Sequence, residues 1–253
     1  MKKKSLPFKI LYIALVAVFW LGVWEFASLI VDSQLILPSP GETLRAFLSL
    51  AGESDFYITA LLSVCRISIG FISGLILGVI LGVLCAFLKT ADMIFAPLRS
   101  IIKSTPVSSF ILLLLFWTDR ELVPSFISML IVLPVIHSGV YEGIKSTDPL
   151  LIQMANFYKV PRIKQIFTIY TESVKTRLTA SSATALGLAW KAGIAAEVLA
   201  TPALSIGTEL YESKLYLETE NLFAWTALVI LLSVILEKLM MLALHFAESR
   251  RGK

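Results

Sequence analysis

The sequence has few of the residues from which soluble enzymes and metal sites are built. Of its 253 residues only 16% are charged, and it holds two histidines and two cysteines. A soluble domain carries about 25% charged residues. No CxxC, HExxH or GxxxxGK[ST] motif occurs. The usual zinc sites and the usual ATP-binding phosphate loop are therefore excluded, and we expect no metal and no cofactor on this chain.

The two histidines give little support to an enzyme. His137 and His245 lie far apart in sequence, near the inner ends of two hydrophobic runs. A membrane-embedded enzyme needs clustered ligands or a nucleophile with a base, and neither histidine has such a neighbour in the sequence. We expect both to be interfacial residues.

The hydrophobic content predicts an integral membrane protein. Hydrophobic residues make up 57% of the chain, and the mean hydropathy is +0.83. Runs of about 20 apolar residues predict an all-α polytopic fold with six transmembrane helices in one domain, residues 10–247. The predicted spans are residues 10–31, 58–88, 97–117, 122–140, 176–200 and 222–247.

The basic residues predict the orientation. With residues 1–9 and the tail, residues 248–253, in the cytoplasm, 17 of the 22 lysines and arginines lie inside and 3 outside. This distribution obeys the positive-inside rule. Basic residues on the cytoplasmic side of the cell membrane, next to its lipid, account for the net charge of +4. We therefore expect no nucleic acid as a partner. The long loop of residues 141–175 is then cytoplasmic.

Two helices carry stripes of small residues at four-residue spacing. A glycine stripe, Gly70, Gly74, Gly78 and Gly82, lies in the second span. The fifth span has Ser181, Ala185, Ala189 and Gly193 at the same spacing. Small residues let two helix backbones approach closely, while glycine also permits bending. The stripes thus predict tight packing, with a hinge as the alternative.

Polar residues in the third and fifth spans are candidates for a translocation path. Pro106 removes one backbone hydrogen bond within the third span, where hydroxyl residues cluster. The candidates are Thr105, Pro106, Ser108, Ser109, Trp190 and Lys191. The alternative is that the hydroxyl groups only bond to neighbouring helices.

The intramembrane charges that we take as candidates are Glu25, Arg66, Lys191 and Glu197. Charges in a membrane are costly, so each is a functional candidate. The balance of two acids and two bases favours ion pairs between helices, with substrate contact or gating as the alternative. Arg66 and Glu197 lie near the same end of their helices and are expected to meet. Lys191, if unpaired, is the best candidate for contact with an anionic solute.

The cytoplasmic loop has helix signals of its own. Asp148 is a favourable N-cap, and Pro149 suits the first helical position. An apolar face follows, and Pro161 ends the run. Such a short helix suits either an anionic lipid surface or a cleft in a cytosolic partner.

Together, five segments resemble the permease subunits of ATP-binding cassette importers, in particular the nitrate, sulfonate and taurine type. The similarity extends from about residue 35 to residue 247. Its segments are Leu37-Pro38-Ser39-Pro40, Ser104-Thr105-Pro106, Asp148-Pro149-Leu150-Leu151, Gly187-Leu188-Ala189-Trp190 and Ala195-Ala196-Glu197-Val198-Leu199.

In that family the cytoplasmic loop carries the pattern Glu-Ala-Ala, three residues, Gly and, further on, Ile-x-Leu-Pro. It forms a coupling helix that docks into the ATPase. Here Ala155 matches the second Ala, whereas Gln153 and Met154 stand at Glu-Ala, Lys159 stands at the glycine and Thr171-Glu172 stands at Leu-Pro. The coupling residues implied by the resemblance are Asp148, Pro149, Gln153, Met154, Ala155, Phe157, Tyr158, Lys159, Val160, Pro161 and Arg162.

The resemblance implies the type I importer fold and a function as the non-enzymatic transport subunit. Separate ABC ATPase subunits would bind ATP and Mg, and a second permease copy would complete a homodimer or heterodimer. A substrate-binding protein would deliver a small solute, such as nitrate, a sulfonate or taurine, to an acidic outer loop with Glu209, Glu212, Glu218 and Glu220. The alternative is a secondary transporter or channel without an ATPase, although no internal repeat supports it.

Overall fold

The computed structural model describes residues 6–33 and 35–249. Its regular structure within these ranges is helical, so the predicted all-α class is confirmed. The helices are α1 (Leu6–Val31), α2 (Pro40–Leu50), α3 (Ser54–Phe87), α4 (Lys89–Ser104), α5 (Val107–Leu114), α6 (Val123–Lys145), α7 (Pro149–Phe157), α8 (Arg162–Gln165), α9 (Thr171–Ala200), α10 (Ile206–Leu215) and α11 (Thr219–Ser249). A π-helical segment, Ile166–Tyr170, joins α8 to α9.

Within the described ranges five helices are long and apolar enough to cross a membrane. They overlap the predicted spans one, two, four, five and six. These helices are Ala14–Val31, Ser54–Phe87, Val123–Lys145, Arg162–Ala200 and Thr219–Ala243. Residues 1–5 of the predicted N-terminal segment and residues 250–253 of the predicted tail lie outside the described residues, as does the side chain of His245.

The predicted third span, residues 97–117, is not a single helix. Thr105 is extended, with φ −80° and ψ 132°, and separates α4 from α5. Pro106 causes this break, because its ring disfavours a helical conformation in the residue before it. The eight residues of α5 extend only about 12 Å, too short to cross the hydrocarbon core alone.

The chain divides into two compact units. The first comprises Met1–Ile58 and Glu209–Ile230, and the second comprises Thr59–Thr208 and Leu231–Lys253. In the first unit, Nε1 of Trp24 donates a hydrogen bond to the carbonyl oxygen of Pro38 at 3.0 Å. The ring of Phe56 packs on that of Trp225 with centroids 5.0 Å apart. Aromatic contacts therefore organise this unit.

In the second unit the glycine stripe of α3 lies directly against α6. A Cβ added to Gly74 would lie 2.7 Å from Cβ of Val132, and one added to Gly78 would lie 2.8 Å from Cβ of Ile136. Real Cβ atoms essentially never come this close to a neighbour. The two backbones are thus in close contact along the stripe. This is the tight helix packing that glycines at four-residue spacing permit.

Small residues also join α6 to α9. Gly139 of α6 lies against Ser181, and Ala185 and Ala189 are fully buried. Gly193 of α9 in turn leaves room for the side chain of Ile67 from α3. The helices α3, α6 and α9 therefore form the tightly packed core of the second unit.

Candidate functional site

The helix α7 carries an exposed apolar surface. The Asp148 carboxylate caps it by accepting a hydrogen bond from the backbone N–H of Leu150 at 2.8 Å. The helix buries only Ala155. In contrast, Phe157 is 82% exposed and Tyr158 is 71% exposed. We name this surface the α7 face; its large members are Leu150, Leu151, Met154, Phe157 and Tyr158.

A tight turn after α7 fixes the orientation of this face. Lys159 has a φ of 53°, in the left-handed region that favours glycine. This conformation explains in physical terms why the family pattern has glycine at this position. The buried Gln165 then donates hydrogen bonds from Nε2 to Oδ1 of Asn156 at 3.0 Å and to the carbonyl oxygen of Val160 at 2.9 Å. These bonds hold α7 and α8 together.

The chain runs from this turn into the membrane helix without interruption. Thr171 and Glu172 stand where the family pattern has Leu-Pro, and both retain the backbone N–H that proline would lack. A continuous helix from Arg162 to Ala200 results. The π-helical segment lies just before Thr171. The helix that contains α9 therefore begins directly after the turn that follows α7.

Arg66 and Glu197 come together at the end of α9 opposite this loop. Nη1 of Arg66 lies 3.8 Å from Oε1 of Glu197, whose side chain is fully buried. Oε2 of Glu197 accepts hydrogen bonds from Oγ of Ser63 at 2.8 Å and from the N–H of Gly207 at 3.2 Å. The carboxylate is therefore anchored by α3 and by the start of α10.

Glu121 completes this cluster, and the sequence does not predict its role. Its Oε2 lies 2.6 Å from Nη2 of Arg66, and its Oε1 accepts a hydrogen bond from the N–H of Ala203 at 2.7 Å. Arg66 also donates to the carbonyl oxygens of Ala203 and Leu204. Since Arg66 is bonded to two other segments of the chain, its arrangement is that of a structural clamp on the loop between α9 and α10.

The other two intramembrane charges do not join this cluster. Glu25 and Lys191 are both exposed, and neither makes an ion pair among the described residues. Lys191 lies on α9, nine residues before the end of that helix at Ala200. An exposed lysine within a membrane helix requires water or protein around it rather than lipid.

The candidate path residues differ in exposure. Ser108 and Ser109 of α5 are exposed, as is Pro106, whereas Trp190 is buried at 2% exposure. Thr105 is half-buried, and its hydroxyl donates a hydrogen bond to the carbonyl oxygen of Ile101 at 2.8 Å. The α5 hydroxyls therefore present a polar surface just after the helix break.

A second polar cluster lies between α4 and α6. The ring of His137, which the sequence predicts to be interfacial, is completely buried between Phe95 and Tyr141, because α4 packs against α6. Nη1 of Arg99 lies 3.4 Å from Nδ1 of His137 and 3.8 Å from the Asp92 carboxylate. In the sequence, only the basic character of α4 hints at this contact.

The acidic segment around α10 belongs to the first unit from Glu209 onward. Glu212, Glu218 and Glu220 are exposed or half-exposed. Partial burial and the negative charges of Glu212 and other nearby carboxylates raise the pKa of Glu209 above its ordinary value. This segment therefore has a concentrated negative charge that would attract a basic surface.

Comparison with known proteins identifies the family. Residues 74–251 match the family described as binding-protein-dependent transport system inner membrane component. The chain is 24% identical over 224 residues to the taurine transport system permease protein TauC of Escherichia coli (strain K12), covering 85% of this chain and 80% of TauC. It is 27% identical over 201 residues to SsuC of the same organism, named for aliphatic sulfonates transport, covering 79% of this chain and 76% of SsuC.

The match covers well over half of the chain. The protein therefore belongs to the binding-protein-dependent transport system inner membrane component family, with the type I importer membrane fold. It is a membrane protein and a transport permease, as the resemblance in its sequence implied.

Proposed function

We propose that this member of the family is the permease subunit of an ATP-driven importer for small sulfonate anions. The observation that carries the proposal is the α7 face, an apolar surface on a short capped helix in a loop between two membrane helices. Exposed apolar patches of this kind mark interaction sites. The occupant that we infer is a cleft in a separate ATPase subunit, which binds ATP and Mg.

The charge distribution supports the orientation that this requires. Lysines and arginines are concentrated at the end of the helices that bears α7, so we place α7 and both termini in the cytoplasm. The cluster of Arg66, Glu121 and Glu197 then lies at the outer end. We assign the acidic residues Glu209, Glu212, Glu218 and Glu220 as an outer docking surface for a substrate-binding protein.

The continuous helix from Arg162 to Ala200 supports a mechanism. Closure of the ATPase dimer would displace α7, and the bonds of Gln165 would carry α8 with it. The tightly packed core of α3, α6 and α9 would respond as a rigid body because close-packed interfaces deform little. Two permease copies, identical or related, would thereby open a path alternately to each side.

The relatives support the substrate class. TauC is named for taurine and SsuC for aliphatic sulfonates, and both of these solutes carry an anionic sulfonate group. An exposed Lys191 within a membrane helix suits the passage of such an anion. Other small anions, such as nitrate, are the competing substrates to be tested.

The test is a mild solubilisation of the tagged chain followed by mass-spectrometric identification and counting of its partners. We expect an ATPase with a phosphate loop, in two copies for each two permease copies. Proteoliposomes of that complex should take up radiolabelled taurine or ethanesulfonate only with ATP and the binding protein. Recovery of this chain alone, with ATP-independent uptake, would instead establish a secondary transporter.

A further inference from the structure

Two cations of α4 lie one helical turn apart on a surface that the core does not cover. We name Arg99 and Lys103 the α4 cation pair. The side chain of Arg99 is 26% exposed, and Lys103 is exposed. Nζ of Lys103 donates a hydrogen bond to Oγ of Ser138 on α6 at 3.3 Å. Residues four apart on a helix share one face, so both charges point to the same side of α4.

The contact with Ser138 locates the pair at membrane depth. Ser138 follows the start of α6 by 15 residues, or about 22 Å, and precedes its end at Lys145 by about 10 Å. The hydrocarbon core is about 30 Å thick. Lys103 therefore reaches inside the span, and a charge at that depth requires a polar path or a partner.

Comparison with Arg66 shows that Arg99 has unused bonding capacity. Arg66 donates to Glu121 and to two backbone carbonyl oxygens. In contrast, Nε and Nη2 of Arg99 have no partner in the described part of the chain. Its contact with Asp92 is long, at 3.8 Å. Arg99 thus keeps N–H donors for which the fold supplies no acceptor.

The local charge balance is positive. Asp92 is the carboxylate that the described contacts bring to Arg99, and it also accepts a hydrogen bond from the hydroxyl of Tyr141 at 3.3 Å. Lys145 lies over the ring of Tyr141 with Nζ 5.7 Å from its centroid. Arg99, Lys103 and Lys145 thus bring three positive charges against the single carboxylate of Asp92. The excess of positive charge makes the surroundings favourable for an anion.

The α4 cation pair is also followed in the chain by the residues of the candidate translocation path. Ser104 follows Lys103 directly, and the exposed hydroxyl groups of Ser108 and Ser109 lie just past the break at Pro106. In a membrane protein such an exposed polar strip faces water or protein rather than lipid. Guanidinium and ammonium groups with neighbouring hydroxyls are the donors that suit a tetrahedral oxyanion.

We propose that the α4 cation pair, Arg99 and Lys103, with the hydroxyl of Ser138, is a binding site within the permease for the sulfonate group of the transported solute. The inference rests on the proposed function and specifies which of the chain's own residues hold the anion on its way to the cytoplasm. The phosphate of an anionic lipid offers the same chemistry, so the experiment separates the two sources.

The first test measures binding without transport. The full chain is purified with its ATPase partner in detergent, and its thermal unfolding is followed with ethanesulfonate and with chloride at equal ionic strength. We expect ethanesulfonate to raise the melting temperature of the wild type and of Lys89→Gln, a control for an exposed cation on the same helix. Arg99→Gln and Lys103→Gln should lose the shift. Equal shifts in all four proteins would overturn the proposal.

The second test measures uptake at saturating binding protein. Arg99→Gln and Lys103→Gln should each lower the maximal rate about tenfold, as expected for the loss of a charge-assisted hydrogen bond, while binding-protein-stimulated ATP hydrolysis is retained. Arg99→Lys, which keeps the charge, should recover most of the rate. Uptake rates of Arg99→Gln and Lys103→Gln equal to that of Lys89→Gln would overturn the proposal.

The lipid arm repeats this assay in vesicles of phosphatidylcholine alone and of phosphatidylcholine mixed with phosphatidylglycerol. The same loss in both vesicles is expected for a solute site. A loss confined to the mixture would assign the pair to lipid phosphate and overturn the proposal. Failure of the proposed function is distinct, because the wild type would then take up no sulfonate while the melting-temperature shift still reports on the anion site.

Discussion

Glu121 binds Arg66 across 55 residues of sequence, with Oε2 of the carboxylate 2.6 Å from Nη2 of the guanidinium. The same carboxylate accepts a hydrogen bond from the N–H of Ala203. It therefore joins the turn before α6 to the loop after α9. Arg66 in addition approaches the buried Glu197. One cluster thus fixes the three segments that meet at this end of the second unit.

Removal of Arg66 should destabilise this end of the protein. Arg66→Gln leaves the buried Glu197 carboxylate without a cation, and breaking a buried pair costs about 3–5 kcal/mol. Because Glu121 is partly exposed, we expect the lower part of that range. The measurement is the melting temperature of the solubilised protein together with limited proteolysis of the loop between α9 and α10.

The control is Arg120→Gln, which removes an exposed cation next to Glu121. It should leave both the melting temperature and the cleavage rate unchanged. An Arg66→Gln protein with the same melting temperature as the wild type would contradict the assignment of the cluster as a clamp.

The sequence predicts two of the three charged residues in this cluster. Arg66 and Glu197 stand out as charges within apolar runs, and their positions near one end of two helices predicted the contact. Glu121 lies in the turn Thr118-Asp119-Arg120-Glu121, where charged residues are ordinary and no periodicity selects one of them. Its role depends on the position of Ala203, which sequence patterns do not specify.

The helix break at Pro106 shows a similar limit. The proline and its neighbouring hydroxyl groups were visible in the sequence, yet the apolar content of residues 97–117 still indicated one span. The separation of α4 from α5 and the packing of α4 on His137 are tertiary results. The contact of Arg99 with His137 follows from that packing, so local sequence gave no means to predict it.

Close packing of α3 on α6 should make Gly78 intolerant of a side chain. Gly78→Ala would bring Cβ to 2.8 Å from Cβ of Ile136, and overpacking of this kind costs about 1–3 kcal/mol. Gly187→Ala is the matched control, because nothing lies within 4 Å of its added Cβ. Alanine there should be neutral or should stabilise α9 by up to about 1 kcal/mol.

Melting temperatures of the two glycine variants, measured in the same detergent, check this pair. Equal effects at the two positions would show that helix propensity, and not the α3–α6 contact, determines the response.

The turn after α7 should prefer glycine at Lys159. A residue other than glycine in the left-handed region costs about 1 kcal/mol or more, so Lys159→Gly should stabilise the turn without disturbing Gln165. Lys159→Val, which is β-branched, should destabilise it. Hydrogen exchange of the α7 and α8 amides measures both changes. Faster exchange in Lys159→Gly than in the wild type would refute this interpretation of the turn.

The α7 face should be separable from the residues that merely support it. Phe157→Asp places a charge on an 82% exposed position, so the fold should be retained while docking to the ATPase is lost. Ala155→Asp buries a carboxylate at an 8% exposed position and should unfold the α7 turn instead. Thr168→Asp, exposed on the π-helical segment, is the control for added charge.

We expect Phe157→Asp to abolish both co-purification of the ATPase and ATP-driven uptake. The melting temperature of the isolated permease should stay close to that of the wild type, since surface substitutions usually change stability by about 0.5 kcal/mol or less. Ala155→Asp should lower that temperature clearly, and Thr168→Asp should behave as the wild type in every assay. Because Ala155 is the one residue that α7 buries, loss of docking in Ala155→Asp alone would be a folding effect. Normal uptake by Phe157→Asp would therefore be the decisive result against α7 as the docking helix.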